Sequence, residues 1–346
     1  MSDLSRSTIE GLDPQGMLGD ILDQPNQVTD GLWRVESAHV KRADSPGGLT
    51  VCGMGGSAIG ADLAAAAIGD RAVGPVRTVR GYALEPWAGN EGCVLCSSYS
   101  GNTEETLAAW DTAGAAGARR IALTTGGKLA ELARGDGVPV VSPPAGLQPR
   151  AAVAYMVVGS LEMAAACGAG PDLRDEIEAA ASLLGELASE WGPDAPDDSL
   201  AKSLARSLHA SVPVVYGAGL TSPVARRWKT QVNENAKRHA FWADLPEADH
   251  NEICAWNDDA GPDRFAAIFL DDRDLHPRVR RRIELTAEAA SPASSVHVVE
   301  TRGDTPVERL MSLVFLGDLV SLYVAILEGV DPTPVEPIER FKTALG

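Results

Sequence analysis

Positive charge is in short supply: 30 Lys and Arg stand against 48 Asp and Glu, a formal net charge of −18 over 346 residues. Binding nucleic acid needs clustered cations to replace phosphodiester counterions, so neither nucleic acid nor an anionic membrane is an expected partner. The compact basic cluster Arg226-Arg227-Trp228-Lys229 is too small to change this and reads as salt bridging to an acidic surface. Long hydrophobic runs are absent too. Gly, Arg, Glu or Asp interrupts each apolar stretch short of the ~18 residues a membrane span needs. The opening Met1-Ser2-Asp3-Leu4-Ser5-Arg6 has no basic head followed by an apolar core, so no signal peptide is expected and the expected location is the cytoplasm. The 5 cysteines sit mostly in strand-like apolar runs, which fits reduced buried thiols. Cys93-Val94-Leu95-Cys96 would put its thiols on opposite faces of a strand and has no second pair, so zinc is disfavoured. No His/Glu/Cys set with metal-ligand spacing and no P-loop pattern occurs, which sets aside metal-dependent and kinase chemistry.

What is present is globular: 45% hydrophobic and 23% charged residues, in a length that suits two domains. Apolar β-branched runs at 49–52, 76–79, 93–97, 121–124 and 138–141 alternate with Ala/Leu-rich helical patterns near 58–69, 103–117, 128–134 and 151–167. Such alternation predicts parallel strands with right-handed crossovers. Gly168-Ala169-Gly170-Pro171 ends this block, and two connecting helices are expected before about Arg206. The alternation resumes at Val212-Pro213-Val214-Val215-Tyr216, with a glycine turn, a helix near 223–238, strands at 265–270 and 296–299, a long helix at about 306–327 and a proline-punctuated tail. The expected architecture is α/β: two doubly wound, flavodoxin-like parallel-sheet domains in tandem, with a cleft at the carboxyl ends of the strands and a C-terminal helix and tail. The boundaries drawn are an N-terminal helical segment at 1–48, domains at 49–168 and 207–346, and a helical connector at 169–206.

Two turns carry the chemical signal. Gly53-Met54-Gly55-Gly56-Ser57-Ala58-Ile59-Gly60 and Ser97-Ser98-Tyr99-Ser100-Gly101-Asn102-Thr103-Glu104-Glu105-Thr106 each follow an apolar strand and open a helix. Backbone N–H groups, hydroxyls and two helix N-termini can converge there on one phosphate, without a lysine or arginine in either turn. Ser and Thr before a helix are commonly just N-caps, but a cap uses one hydroxyl per helix and four are present. A dinucleotide reading of the first turn needs an acidic residue ending the next strand, where Val79-Arg80-Gly81 stands; an NADP-type variant stays open.

The two turns resemble those of the sugar isomerase (SIS) domain. With Pro149-Arg150-Ala151, Asn233-Glu234-Asn235-Ala236-Lys237, His250-Asn251-Glu252-Ile253 and Pro337-Ile338-Glu339-Arg340-Phe341-Lys342, taken in order, the chain is similar to the bifunctional phosphoglucose/phosphomannose isomerase family from about residue 50 onward. The resemblance implies an aldose-ketose isomerase acting on hexose 6-phosphates through a cis-enediol, with no metal or organic cofactor. It also implies a homodimer in which His250 reaches the partner's site. Gly55, Gly56, Ser57, Ser98, Ser100 and Thr103 are then the phosphate ligands and Glu234 the proton-shuttling base. Such a base needs its pKa lifted toward working pH by partial burial. Otherwise Glu234 is a solvated helical glutamate paired with Lys237. His250 would open the sugar ring, its charge held by an acidic neighbour in Glu247-Ala248-Asp249-His250-Asn251-Glu252. Arg150, otherwise a solvent-exposed arginine, would stabilise the enediolate oxygen from the start of a helix, aimed by the proline-rich loop before it. Lys342 would bind a hydroxyl or assist ring opening, although chain ends usually fray. Thr333, in Asp331-Pro332-Thr333-Pro334, is a weaker candidate for leaving room for C2–C3 rotation. Whether Tyr99 or Trp87 lines the cleft, and whether glucose or mannose 6-phosphate is preferred, stays open. The rivals are an aminosugar phosphate isomerase and a non-catalytic sugar-phosphate sensor. The sensor lacks an evident output module in 1–48. An amidotransferase is not expected because residue 2 is Ser, where a catalytic Cys would be needed.

Overall fold

The computed structural model describes residues 3–85, 87–88, 91–257 and 261–345; Met1 and Ser2, including the position weighed as an amidotransferase nucleophile, lie outside them. The chain forms two compact units, one of Asp23–Leu184 with Gly303–Leu310, the other of Met1–Leu22, Gly185–Arg302 and Met311–Gly346. Helices α1 (Arg6–Leu12), α2 (Met17–Leu22) and α3 (Gln24–Ser37) precede the first strand.

In the unit holding residues 23–184, β1 (Leu49–Cys52), α4 (Gly55–Ile68), β2 (Val76–Val79), β3 (Cys93–Ser97), α5 (Glu104–Ala115), β4 (Arg119–Leu123), α6 (Gly127–Gly135), β5 (Val140–Val141) and α7 (Val153–Ala166) follow in order. All pairings are parallel, and the sheet order is β2-β1-β3-β4-β5. This is the doubly wound arrangement in which the order reverses between β1 and β3, so the turns leaving those two strands lie side by side. β1 and β3 are buried along their whole length, as unbroken apolar runs covered on both faces must be. Cys93 and Cys96 do face opposite ways: the first thiol meets Cys167, the second Cys52, its register partner on β1. The Cys52 thiol, and then burial, push the Cys96 thiol far up, so it stays protonated. All five cysteines are free, and four are buried.

β4 begins earlier than its apolar core, because Arg119 and Arg120 pair in register with Cys93 and Val94 of β3; Arg120 stacks 4.3 Å over the Trp110 ring and pairs with Asp136 at 2.9 Å. Tight packing replaces side chains elsewhere. A Cβ on Gly60 of α4 would stand 2.4 Å from the Met156 Cβ of α7, so only glycine lets those two helices approach this closely.

Helix α8 (Arg174–Trp191) and α9 (Leu200–His209) lead to β6 (Val212–Gly217), α10 (Ser222–Asn235), β7 (Phe241–Asp244), β8 (Phe265–Asp271), α11 (Pro277–Ala289), β9 (Ser295–Glu300), α12 (Pro306–Glu328) and α13 (Glu336–Leu345). The second sheet is again parallel, in the order β7-β6-β8-β9. Strand β7 was not anticipated: Phe-Trp-Ala-Asp is too short for periodicity, and pairing with β6 makes it a strand. The tail is helical as α13, so Lys342 sits on a formed helix with no buried residues.

Two expectations are corrected by α12. Its 23 residues include a window with mean hydropathy 2.2, long and apolar enough to cross a membrane, yet 94% of that window is buried. Glu308, Arg309 and Asp318 interrupt the sequence without preventing a core helix. Arg227 of the basic cluster is likewise buried: its guanidinium pairs with Asp318 at 2.7 Å, and Gln231 donates to the same carboxylate at 2.8 Å. It bridges the core and not the acidic surface, because α10 turns that face toward α12, where the Trp228 indole N–H also reaches the Leu313 carbonyl at 2.8 Å.

Candidate functional site

The two turns meet as the strand order requires. The Tyr99 amide donates to Ser57 Oγ at 3.1 Å, and a Cβ on Gly53 would stand 2.7 Å from the Ser97 carbonyl. Gly55, with φ +52, opens α4, and Gly56 follows with its Cα against the loop behind it: a Cβ there would stand 2.7 Å from the Pro149 carbonyl and 3.3 Å from Arg150 Cα. None of the four hydroxyls serves as a helix cap. Met54 and Thr103 hold the N-cap positions of α4 and α5, and neither makes a side-chain cap bond. Thr103 Oγ1 instead shares a 2.8 Å hydrogen bond with Ser98 Oγ, which also accepts the Gly101 amide at 3.1 Å. Ser100, exposed at the tip, accepts the Asn102 amide at 3.3 Å. The amides opening α4 and α5 and this hydroxyl cluster therefore form the mouth of a cradle suited to an anion.

A third helix braces the second turn. Asn102 Oδ1 accepts the Lys128 amide at 3.0 Å, and the Leu129 amide donates to the Gly101 carbonyl at 2.9 Å. Gly127 must be glycine, because its φ is +64 and a Cβ would stand 2.4 Å from the Ser100 carbonyl.

Arg150 lies in a turn ahead of α7, which starts at Val153, and is only 3% exposed, so the solvent-exposed reading fails. Its guanidinium reaches Gln148 Oε1 at 3.5 Å. Tyr99 turns toward the proline-rich loop. It is buried and fastens the proline-rich loop, its hydroxyl donating to the Pro144 carbonyl at 2.7 Å and accepting the Leu147 amide at 2.9 Å. Trp87 is exposed and carries the Arg77 guanidinium over its ring at 3.7 Å. Arg80, which a 2′-phosphate would need, is paired with the Asp62 carboxylate of α4.

In the other unit, Glu234 stands half-buried on the last turn of α10, on the wall of a cavity of about 920 Å³. Asn233 and Lys237 share its side, and Asp331, Pro334 and Val335 come from the segment after α12. Thr333 in that segment is buried, and its amide donates to Asp331 Oδ1 at 2.9 Å. His250 and Lys342 belong to the same unit; both are exposed, and neither lines this cavity. The acidic residues of the His250 turn have other partners: Asp249 pairs with Arg282 at 2.9 Å and Thr286 at 2.7 Å, Glu252 accepts the Tyr216 hydroxyl at 3.4 Å, and Glu247 accepts the Asn251 side-chain amide at 3.2 Å. Burial raises the Glu252 carboxyl above its ordinary pKa. The glycine turn after β6 is self-satisfied: Thr221 Oγ1 donates to the Leu270 carbonyl at 2.8 Å, and Ser222 Oγ donates to Asp244. The Ser222 hydroxyl is thus engaged by a carboxylate, so the repeat in sequence is not a repeat of the cradle.

Sequence reasoning passed over Tyr99 as the anchor of the loop and Lys237 as more than a salt-bridge partner. The Lys237 ammonium donates to the backbone carbonyls of Glu234 at 2.6 Å and Pro332 at 3.0 Å. The positive φ of Lys237, +57, is a signal only the structure carries.

Among the described residues no group of three or more His, Cys, Asp or Glu side chains is placed to hold a metal. Two parallel α/β sheets with a hydroxyl-lined turn pair at one switch point define a SIS-type phosphosugar protein. Its fold is shared with tagatose-6-phosphate ketose/aldose isomerase from Escherichia coli, at a TM-score of 0.70 and 16% identity over 91% of this chain and 93% of that one. Residues 197–345 match the family described as the bacterial phospho-glucose isomerase C-terminal SIS domain. The chain is 38% identical over 338 residues to a bifunctional phosphoglucose/phosphomannose isomerase of Caldicellulosiruptor bescii, covering 95% of this chain and 98% of that protein. It is 35% identical over 300 residues to the enzyme of the same name from Aquifex aeolicus, covering 86% and 90%. The chain belongs to the bifunctional phosphoglucose/phosphomannose isomerase family.

Proposed function

We propose that the protein interconverts glucose 6-phosphate, fructose 6-phosphate and mannose 6-phosphate by proton transfer through a cis-enediol, as a homodimer in the cytoplasm with His250 serving the partner's site. The observation that carries the reading is the hydroxyl-lined turn pair at the β1/β3 switch point, tied together by the Tyr99 amide and Ser57, with no hydroxyl spent on a cap. Gly55, Gly56, Ser57, Ser98, Ser100 and Thr103 take the phosphate, which anchors the sugar by its unreactive end. Uncharged donors suit a ligand that must leave again after each turnover.

His250 protonates the ring oxygen to open the sugar, with Lys342 on a hydroxyl. Glu234 then removes the C1 proton of the ketose, the electrons moving onto O2, and Arg150 offsets the charge that develops there. The O1 hydroxyl proton passes to O2, the proton on Glu234 returns to C2, and O1 becomes the aldehyde oxygen while O2 becomes the C2 hydroxyl. Thr333 bounds the space in which rotation about C2–C3 exposes the other face and yields the manno product. The chemical steps are proton transfers carried by side chains, so treatment with a chelator is expected to leave turnover unchanged.

NMR with fructose 6-phosphate in deuterated water tests the reading: deuterium at C2 of both aldose phosphates is expected. Glu234→Gln should abolish that exchange while sugar-phosphate binding persists. Exchange retained in the variant would remove Glu234 as the base, and no turnover by the unaltered protein, with binding intact, would favour the aminosugar or sensor alternative.

A further inference from the structure

Lys237 ends α10 in the left-handed region, with φ +57, where glycine is the usual residue and a side chain is strained. A lysine held there must be held by something. Its ammonium caps the Glu234 carbonyl at 2.6 Å, one of the orphan acceptors of the last helical turn, and is drawn to the negative end of the helix. The same ammonium reaches the Pro332 carbonyl at 3.0 Å, in the segment whose Asp331, Pro334 and Val335 wall the 920 Å³ cavity opposite the helix. The Asn233 amide fixes the reversal that follows by donating to the Arg238 carbonyl at 2.7 Å. One side chain thus joins the backbone carrying Glu234 to the backbone carrying Thr333.

We infer that Lys237 is a positioning residue: its ammonium clamps the Glu234 turn to the 331–334 segment and so holds the base at a fixed height over the reacting carbons. The inference rests on the proposed isomerase reading. Proton transfer between adjacent carbons tolerates little displacement of the base, so a loosened clamp acts on turnover and not on phosphate grip.

Lys237→Gly relieves the backbone strain and removes the ammonium, Lys237→Met keeps the stem without the charge, and Lys237→Arg keeps donors for two carbonyls. With fructose 6-phosphate, kcat is expected to fall about 10- to 100-fold in the Gly and Met variants, with KM within about threefold of wild type, and to recover in large part in the Arg variant. Amide hydrogen exchange across 331–335 should quicken about tenfold in the Gly and Met variants only. This second readout needs no activity, so a failure of the isomerase reading leaves the clamp testable. Unchanged exchange would overturn the clamp. Quickened exchange with an unchanged kcat, or a raised KM at constant kcat, would overturn its positioning role.

Discussion

Tyr99→Phe removes one oxygen from a buried ring and tests whether the proline-rich loop is held as described. The hydroxyl bridges Pro144 O at 2.7 Å and Leu147 N at 2.9 Å, so its loss strands a carbonyl and an amide at the base of the loop. A hydrogen bond contributes about 1 kcal/mol net, and a stranded partner costs about 1–3 kcal/mol. Both partners are half-buried, so water recovers part of that, and about 2 kcal/mol remains. Against a urea m-value of about 2 kcal/mol/M, the midpoint should fall by about 1 M. Because Arg150 follows this loop, kcat should fall as well, while phosphate affinity, which the proposal assigns to the two turns, should change little. Tyr82→Phe is the control: its hydroxyl reaches Glu104 at 3.2 Å in the open, and its loss should shift the midpoint by less than about 0.3 M. Urea unfolding followed by fluorescence, with steady-state turnover on the same samples, measures both. A Tyr99→Phe midpoint indistinguishable from the Tyr82→Phe control would refute the anchoring argument.

Other outcomes follow from single contacts. Asp318→Ala leaves the Arg227 charge buried without its carboxylate and should cost about 3–5 kcal/mol in chemical denaturation, whereas joint replacement of Arg227 by Met and Asp318 by Leu should cost far less. Gly60→Ala should destabilise by about 1–3 kcal/mol despite alanine's better helix propensity, because the new Cβ meets Met156 main-chain atoms as well as its side chain; calorimetry would register this as a lowered Tm. His297 loses solvation in the fold, which depresses its pKa below 6.5. The folded state therefore binds this proton less readily than the unfolded chain, so stability is held above about pH 6.5 and declines as pH falls below it. His297→Asn should flatten the fall in urea midpoint between about pH 7 and 5.5, and an unaltered slope would assign the pH response to other groups.

Much of the fold was legible because its signals are local. Apolar strands of four or five residues, each followed by a glycine or hydroxyl turn and a helix, specify parallel βα units whatever lies around them. The form of the two turns was legible for the same reason: glycine, serine and threonine at a helix start act through their own backbone. What the sequence could not determine is which of these local options the packing uses. Ser222 at the second glycine turn is as good a hydroxyl as Ser57, and only the arrival of Asp244 from β7, a strand formed by pairing with β6, engages it with a carboxylate. The charge of Arg227 reads as surface until α12 packs against α10 and brings Asp318 to it, and the apolar length of α12 reads as broken until its burial is known. Lys237 and Tyr99 gain their roles from residues 95 and about 45 positions away. Helices and the longer apolar strands depend on neighbours in the chain, so the sequence alone determined them; partnership, and with it the strand β7, depends on neighbours in space, so the tertiary structure decided it.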